Sequence, residues 1–134
     1  MRQVPDEDLE EVLARDRECF PGDPPPSTLE LAYTTWWTDE DAHFGLYEPA
    51  QDGPCFLLRY GVLPRAQGAG KGRQCALRAL RAARRRGRTA MVTYVLISNV
   101  ASLRALLGVG FRPTHWNTNT LWLVRDLTQT IPRR

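Results

Sequence analysis

Three glycines, Gly68, Gly70 and Gly72, join an apolar segment typical of a strand to a segment with helical periodicity. This junction constrains the fold more than any other feature of the chain. Glycine allows unusual backbone angles and lets a ligand approach the main chain closely. The helix that follows offers free N–H groups and the positive end of its dipole. The segment therefore predicts a strand–loop–helix unit that binds phosphate.

Two familiar phosphate loops are excluded by their spacing. A Walker loop has glycine five residues before its Gly-Lys pair and Ser or Thr after it, but Arg65 and Gly72 occupy those positions. The dinucleotide fingerprint GxGxxG has glycine three residues after Gly70, where Arg73 stands. It also belongs to an early parallel βαβ unit, which three leading strands contradict.

Before the loop, the sequence predicts two helices and three antiparallel strands. Apolar residues spaced as one face of a helix run from Leu9 to Phe20. The proline-rich residues 21–26 end that helix, and Ser27 with Glu30 has the pattern of a capping box that opens a short second helix. The predicted strands are Tyr33 to Thr38, Ala42 to Glu48 and Cys55 to Val62.

After the loop, a helix with an apolar stripe extends to about Arg86. Met91 to Ile97 is a near-continuous apolar run, which predicts a strand buried on both faces. A further helix runs from Asn99 to about Leu107. Phe111 to Thr114 and Leu121 to Arg125, joined by the polar residues 115–120, are predicted to close the chain as a hairpin. The fold class is α/β on a mixed sheet.

Composition narrows the class of protein further. The 134 residues are 43% hydrophobic and 9% aromatic, which predicts one folded domain and excludes disorder. No apolar run approaches the roughly 20 residues that cross a bilayer. Cys19, Cys55 and Cys75 are scattered, without a CxxC pair, so neither a disulfide framework nor a metal site is expected. A cytoplasmic protein that is neither exported nor bound to a membrane fits these observations.

Charge is divided unevenly along the chain. Residues 1–53 contain fourteen acidic and three basic residues, whereas residues 54–134 contain fifteen basic residues and a single acidic one, Asp126. This division predicts that the first part faces a cationic ligand and the second part a polyanion.

The glycine segment fits the pattern Q/R-x-x-G-x-G/A, filled by Gln67, Gly70 and Gly72 after a V-x-P sequence. It resembles the coenzyme A loop of the GNAT superfamily of N-acetyltransferases. A second motif supports this: Asn99, a small residue three positions later, a helix and then the pair Gly110-Phe111. The resemblance covers roughly Cys55 to Phe111.

The resemblance implies one GNAT-like acyltransferase domain over residues 1–134. Its sheet would be mixed, mostly antiparallel and six- to seven-stranded, flanked by about four helices, with splayed fourth and fifth strands. Acetyl-CoA would be the co-substrate, and no metal is implied. Carried over, the Val62 amide would contact the pantetheine arm and Asn99 would bind near it. The pyrophosphate would lie on the amides of Gln67, Gly68, Ala69, Gly70, Lys71, Gly72 and Arg73.

The positions that supply catalytic groups in many GNAT members are filled differently here. Leu106 stands where a tyrosine protonates the departing thiolate, and Phe56 and Tyr94 stand where a glutamate is usual. A primary ammonium must lose a proton before it attacks, so a base or a chain of waters is still required. Tyr94 is the candidate catalytic acid, and His43, His115 and Glu48 are further candidates for proton transfer.

Three functions remain open at this point. The first is an N-acetyltransferase that acetylates an amine, either a cationic small molecule or a protein amine. The second is an inactive GNAT-fold protein that binds coenzyme A or has a structural or interaction role, which the residue at position 106 suggests. The third is a nucleic-acid-associated protein, although a solvated surface is the favoured interpretation of its arginine-rich helix face. That face consists of Arg78, Arg81, Arg84, Arg85, Arg86 and Arg88.

Overall fold

Seven strands and four α-helices make up the fold, and the computed structural model describes the whole chain, Met1–Arg134. Short 3₁₀ turns cover Asp6–Asp8 and Pro64–Ala66. In chain order the elements are β1 (Arg2–Gln3), α1 (Leu9–Cys19), α2 (Thr28–Tyr33), β2 (Thr34–Thr38), β3 (Ala42–Tyr47), β4 (Cys55–Val62), α3 (Lys71–Arg85), β5 (Ala90–Leu96), α4 (Val100–Gly108), β6 (Arg112–Asn117) and β7 (Thr120–Asp126).

The strands form one sheet in the order β1-β2-β3-β4-β5-β7-β6. All neighbours are antiparallel except β4 and β5, which are parallel. That parallel pair is in register only at Cys55 with Met91 and at Phe56 with Val92, so the two strands diverge beyond these residues. The predicted mixed sheet with splayed fourth and fifth strands is confirmed.

A register shift lies in β4 just beyond the residues that pair with β5. Gly45 of β3 pairs with Arg59, but the next residue, Leu46, pairs with Leu57. Leu58 is therefore an extra residue in β4, as in a β-bulge, which bends a strand and strengthens its twist. The bulge helps β4 to turn away from β5 at the edge of the divergence.

Helices cover the two faces of the sheet unequally. The main core holds 22 buried residues and contains the apolar sides of α3 and α4. A smaller cluster of Val4, Val12, Leu31 and Trp36 packs beneath α1 and α2. Because α1 contacts β3 and β4, the face of β5, β7 and β6 on that side is left open.

The predicted capping box is confirmed at the start of α2. The Ser27 hydroxyl accepts a hydrogen bond from the Glu30 amide at 3.1 Å, and the Glu30 carboxylate accepts one from the Ser27 amide at 2.9 Å. The helix continues through Tyr33, which the sequence placed in the following strand. Tyr33 is accordingly 67% exposed.

Three details of the predicted architecture are wrong. The strand at residues 91–97 is buried on one face only, because α1 and α2 do not reach β5; Tyr94 is 53% exposed. The hairpin is tighter than predicted, since β6 extends to Asn117 and only Thr118 and Asn119 form the turn. The edge strand β1 was missed, because two residues carry no alternation pattern.

Candidate active site

A cleft of about 460 Å³ opens where β4 and β5 diverge. Its walls come from the end of α1, the end of β4, the glycine loop and the first turns of α3 and α4. Among the predicted cofactor-binding residues, Ala69 does not line the cleft. The others do: Val62, Gln67, Gly68, Gly70, Lys71, Gly72, Arg73 and Asn99.

The glycine loop presents unbonded main-chain amides to this cleft. Gly68 and Gly70 have φ values of 89° and 75°, the left-handed region that favours glycine. The amides from Gly68 to Arg73 donate no hydrogen bond within the protein, and the first intrahelical bond runs from the Gln74 amide to the Gly70 carbonyl at 3.0 Å. Free amides at a helix start form an anion-binding concavity.

Space around the loop is sufficient for a phosphate group. A Cβ atom built on Gly68, Gly70 or Gly72 would have no protein atom within 4 Å. The loop is therefore open on the side where the amides are free. The open space and the free amides fit the size and charge of a diphosphate group such as that of coenzyme A.

Gln67 fixes the loop to the end of β4. Its side-chain Nε2 donates to the Val62 carbonyl at 3.1 Å, and its main-chain amide makes a long bond of 3.4 Å to the Pro64 carbonyl. The Leu63 amide donates towards β3, to the Asp41 carbonyl at 2.7 Å. Since amides alternate in direction along a strand, the Val62 amide points the other way, into the gap left by β5.

Two basic side chains, Lys71 and Arg73, lie beside the loop, and they have different partners. The Lys71 ammonium is 3.7 Å from an Asp41 carboxylate oxygen, and its side chain is 39% exposed. The Arg73 guanidinium instead donates to the carbonyls of Gly108 at 2.7 Å and Arg134 at 2.6 Å. Arg73 thus holds the end of α4 and the C-terminal segment.

Asn99 caps α4 at the opposite wall of the cleft. Its side-chain oxygen accepts from the Ser102 amide at 3.2 Å. The Tyr60 hydroxyl of β4 lies 2.7 Å from the Ser102 hydroxyl and 3.2 Å from the Ser102 carbonyl. Burial raises the pKa of Tyr60 to about 12, so this phenol stays protonated at neutral pH.

Tyr60 is a cleft residue that the sequence analysis missed. A signal for it was present, because it lies two residues before Val62 on the same strand and side chains alternate with a period of two. Its partner on α4 could not be found in this way. Other lining residues that were missed are Cys19, Phe20, Gly61, Ala101, Ser102 and Ala105.

Tyr94, the predicted catalytic acid, does not line this cleft. Its ring packs on Trp122 with a centroid distance of 5.1 Å, and Trp122 in turn stacks on His115 at 5.8 Å. These three residues are paired across β5, β7 and β6 on the open face of the sheet. The role of Tyr94 in proton transfer stays a prediction.

Two other candidates for proton transfer have structural partners. Glu48 accepts hydrogen bonds from Arg86 at 2.6 Å and Arg88 at 2.7 Å, so it anchors the end of α3 to β3. His43 is 1% exposed, and its Nε2 is 3.2 Å from an Asp16 oxygen. Neither residue lines the cleft.

A buried ion pair fixes the end of α1 beside the cleft. Arg59 donates to both oxygens of Asp16, at 2.7 and 2.8 Å, and to the Pro24 carbonyl at 3.1 Å. Its guanidinium also lies 4.4 Å from the ring centroid of Phe20, which lines the cleft. Burial raises the pKa of Asp16, but the contacts from His43 and Arg59 outweigh it and the net pKa is lowered.

No carboxylate lines the cleft. Leu106 is 1% exposed and belongs to the main core, and Phe56 is half-buried beside Tyr47. The tyrosine position of the GNAT motif and its glutamate position on β4 therefore hold packing residues here.

The arginine-rich face of α3 is largely exposed, as its interpretation as a solvated surface predicts, but several of its side chains also have partners within the protein. Arg78 pairs with Asp39, and Arg81 donates to the carbonyls of Pro132 and Arg133. Arg86 and Arg88 hold Glu48, as described above. Four of the six arginines thus have partners: three pair with carboxylates of the acidic first part of the chain, and Arg81 binds the C-terminal segment.

Two further features of the whole molecule concern metals and membranes. Nowhere do three or more His, Cys, Asp or Glu side chains come together as a metal site would require. None of the helices has the length and apolar character needed to cross a bilayer.

Comparison with known proteins identifies the fold. No protein-family model and no curated protein matches the sequence. Among solved structures, the ribosomal-protein-S18-alanine N-acetyltransferase from Escherichia coli superposes with a TM-score of 0.75 at 15% identity, over 96% of this chain and 94% of that one.

Two other similar structures were solved with the cofactor bound. A GNAT family acetyltransferase from Elizabethkingia anophelis with acetyl-CoA has a TM-score of 0.65 at 17% identity, over 75% of this chain and 84% of that one. An N-acetyltransferase from Thermoplasma acidophilum with coenzyme A has a TM-score of 0.67 at 15% identity, over 94% and 99%. The chain therefore has the GNAT fold, as the sequence motifs predicted.

Proposed function

We propose that this chain, which has the fold of the GNAT N-acetyltransferases, is a single acyltransferase domain that transfers an acetyl group from acetyl-CoA to an amine. One observation carries the proposal: an open cleft between diverging strands has free main-chain amides at one end. That arrangement fits a long ligand with a diphosphate at one end and a reactive group further along the strand.

Each part of the cleft has a role in this proposal. The amides from Gly68 to Arg73 bind the diphosphate, and Lys71 adds positive charge beside them. The Val62 amide, on the free edge of β4, donates to the pantetheine arm, and Asn99 borders the same arm from α4. Acetyl-CoA supplies the activated acyl group, and a main-chain amide near Val62 polarises its carbonyl.

Catalysis then comes mainly from positioning. Holding an amine against a fixed thioester removes much of the entropic barrier, and a strand amide aimed at the carbonyl oxygen stabilises the charge that develops there. The amine attacks directly, without an acyl-enzyme intermediate. No carboxylate lines the cleft, so water takes the proton from the ammonium before the neutral amine attacks.

The acceptor is proposed to be cationic. Part of the acidic charge in residues 1–53 is already neutralised: Glu11, Asp16, Asp39, Asp41 and Glu48 have basic partners. Glu18 and Asp23 make no salt bridge, and they flank Phe20 at the wall of the cleft. These two carboxylates would attract a polyamine, an amino-sugar or a protein amine to this entrance.

The similar structures are consistent with more than one kind of acceptor. The Escherichia coli enzyme named above acts on an alanine of a ribosomal protein. At 15% identity this likeness concerns the fold, so the acceptor of the present chain has to be found by assay.

Two measurements test the proposal. Calorimetry should detect binding of acetyl-CoA by the purified protein. A thiol-release assay should then show turnover with amines, and amines matched in size should react faster when cationic than when neutral or acidic. Absence of any heat with acetyl-CoA would refute the cofactor assignment, and faster turnover of acidic acceptors would refute the charge argument.

A second function is favoured by the composition of the cleft. Leu106 is buried in the core and no carboxylate is present, so the chain could bind coenzyme A without performing chemistry. Binding heat with no thiol release across a broad amine panel would support this function over the first.

A further inference from the structure

We propose that the Tyr60 hydroxyl is the group that protonates the departing sulfur in this protein, with Ser102 as its proton partner. The inference rests on the proposed acetyl transfer and deepens it. It assigns a proton donor to a chain whose motif position for that role, Leu106, is filled by a core residue.

The first support is the position of the phenol. Tyr60 lines the cleft from β4, two residues from Val62, whose amide faces the gap. Its hydroxyl reaches across to α4 and lies 2.7 Å from the Ser102 hydroxyl, and Ser102 also lines the cleft. A ligand that runs from the glycine loop along β4 must therefore pass this pair of hydroxyls.

The second support is the small number of proton donors in the cleft. Its lining contains four side chains that can titrate: Cys19, Tyr60, Lys71 and Arg73. Lys71 stands at the glycine loop next to Asp41, and the Arg73 guanidinium is bound to carbonyls outside the cleft. These two cations lie at the diphosphate end.

Cys19 is the remaining alternative, and it lacks a partner. Its thiol makes no hydrogen bond, whereas Tyr60 has a second hydroxyl beside it. The Tyr60 hydroxyl donates to the Ser102 carbonyl at 3.2 Å, so it must rotate away from that carbonyl to present its proton to the cleft, while the Ser102 hydroxyl donates to the phenolic oxygen. Among these side chains, only Tyr60 is a neutral proton donor with a neighbouring hydroxyl, that of Ser102, which can return the proton to it.

The acidities of the groups are compatible with the transfer. Burial raises the pKa of Tyr60 to about 12, and it also raises the pKa of the Cys19 thiol in the same cleft to about 11. A thiolate released in this cleft loses solvation for the same reason. Desolvation therefore acts in the same direction on the phenol and on the sulfur that it protonates, and a hydrogen bond from the phenol stabilises the charge that develops on that sulfur.

The step balances as follows. The amine nitrogen forms a bond to the acyl carbon while the carbon–sulfur bond breaks, and the electron pair of that bond stays on sulfur. Tyr60 gives its proton to the sulfur and is reprotonated by Ser102, which takes a proton back from water. The nitrogen of the neutral amine loses one proton to water as the amide forms, so the net change is one proton moved from nitrogen to sulfur. A cationic amine loses one further proton to water before it attacks.

The test uses conservative variants of the full chain. Tyr60→Phe removes only the hydroxyl, and Ser102→Ala removes only the hydroxyl beside it. Tyr94→Phe and Cys19→Ala test the other candidate donors. Tyr33→Phe is the matched control, since Tyr33 is 67% exposed on α2 and does not line the cleft.

Three readouts are compared. Steady-state assays give kcat, and ultraviolet absorbance of the thiolate during a pH titration gives the pKa of the thiol of bound coenzyme A. Calorimetry gives the affinity for desulfo-coenzyme A, which lacks the sulfur. We expect Tyr60→Phe to lower kcat by about 100-fold and to raise the bound thiol pKa by about one unit, with unchanged affinity for desulfo-coenzyme A.

Several results would overturn the inference. Loss of desulfo-coenzyme A affinity in step with kcat would show that Tyr60 only packs against the ligand. An unchanged thiol pKa in Tyr60→Phe, or a larger kcat loss in Tyr94→Phe or Cys19→Ala, would also refute it. If the wild-type protein binds coenzyme A but releases no thiol, the thiol pKa still decides the role of Tyr60, whereas wild-type protein that binds no coenzyme A refutes the proposed function as well.

Discussion

Arg59 of β4 donates hydrogen bonds to both carboxylate oxygens of Asp16 of α1, from Nε to Oδ1 at 2.7 Å and from Nη2 to Oδ2 at 2.8 Å. The carboxylate is 2% exposed and the guanidinium side chain 22%. A bidentate pair of this kind fixes orientation as well as distance. It therefore holds the end of α1, including Phe20, as a rigid wall of the cleft.

Asp16→Asn should destabilise the fold. The amide cannot neutralise Arg59, and breaking a buried pair from one side costs about 3 kcal/mol. Urea denaturation measures the free energy of unfolding. Glu18→Gln on the same helix is the control, because Glu18 is exposed and makes no salt bridge, and we expect a change within about 0.5 kcal/mol. Equal effects of the two variants would contradict the importance of the pair.

The pair should also make stability depend on pH in the acid range. The net pKa of Asp16 is lowered in the folded state, so its contribution is present above the unfolded pKa and is lost as pH falls through the folded value. The stability difference between the wild type and Asp16→Asn should be constant from about pH 7 to 5 and shrink below about pH 4. A difference that grows on acidification would contradict the sign of the shift.

Gly70→Val should abolish binding of acetyl-CoA and leave the fold intact. The side chain meets no protein atom, but it projects over the free amides and strains a residue whose φ is 75°. The strain costs about 1 to 2 kcal/mol. Gly87→Val is a matched control with a φ of 81° and equally open surroundings at the far end of α3. Calorimetry and thermal denaturation should show similar destabilisation in both variants and lost affinity only in Gly70→Val.

Gly61→Ala should disturb the α1 side of the cleft. A Cβ atom at this position would lie 2.6 Å from Cζ of Phe20 and 2.9 Å from Cβ of Cys19. Because Cys19 cannot rotate its Cβ away, α1 must shift, and overpacking of this kind costs about 1 to 3 kcal/mol. Gly22→Ala, with nothing within 4 Å, should be close to neutral in the same thermal denaturation assay.

Lys71→Gln should weaken acetyl-CoA binding in a salt-dependent way. Its ammonium lines the cleft beside the free amides, and at low ionic strength we expect the dissociation constant to rise about fivefold. The difference from the wild type should fall as salt is added, since exposed charges are screened. Arg2→Gln removes an equal charge from the β1 edge, where Arg2 pairs with Glu11, and should leave affinity unchanged. A salt-independent loss would indicate a packing role for Lys71.

Local sequence signals predicted the elements that form the glycine-loop end of the cleft. The glycine loop, the capping box at Ser27 and the cap at Asn99 all lie where the sequence placed them. The sequence predictions were wrong where the burial of a strand depends on helices that are distant from it in the chain. The strand at 91–97 looked fully buried because apolar composition does not reveal that α1 and α2 stop short of β5.

The sequence by itself determined the strand–loop–helix unit, because glycine backbone freedom, helical periodicity and capping act over a few residues. Only the tertiary structure decided which side chains meet in the cleft. Tyr60 and Ser102 are 42 residues apart in the chain, and Asp16 and Arg59 are 43 apart. Such pairs form only after the β4 bulge, the divergence of β4 from β5 and the packing of α1 and α4 have set the distances between their elements.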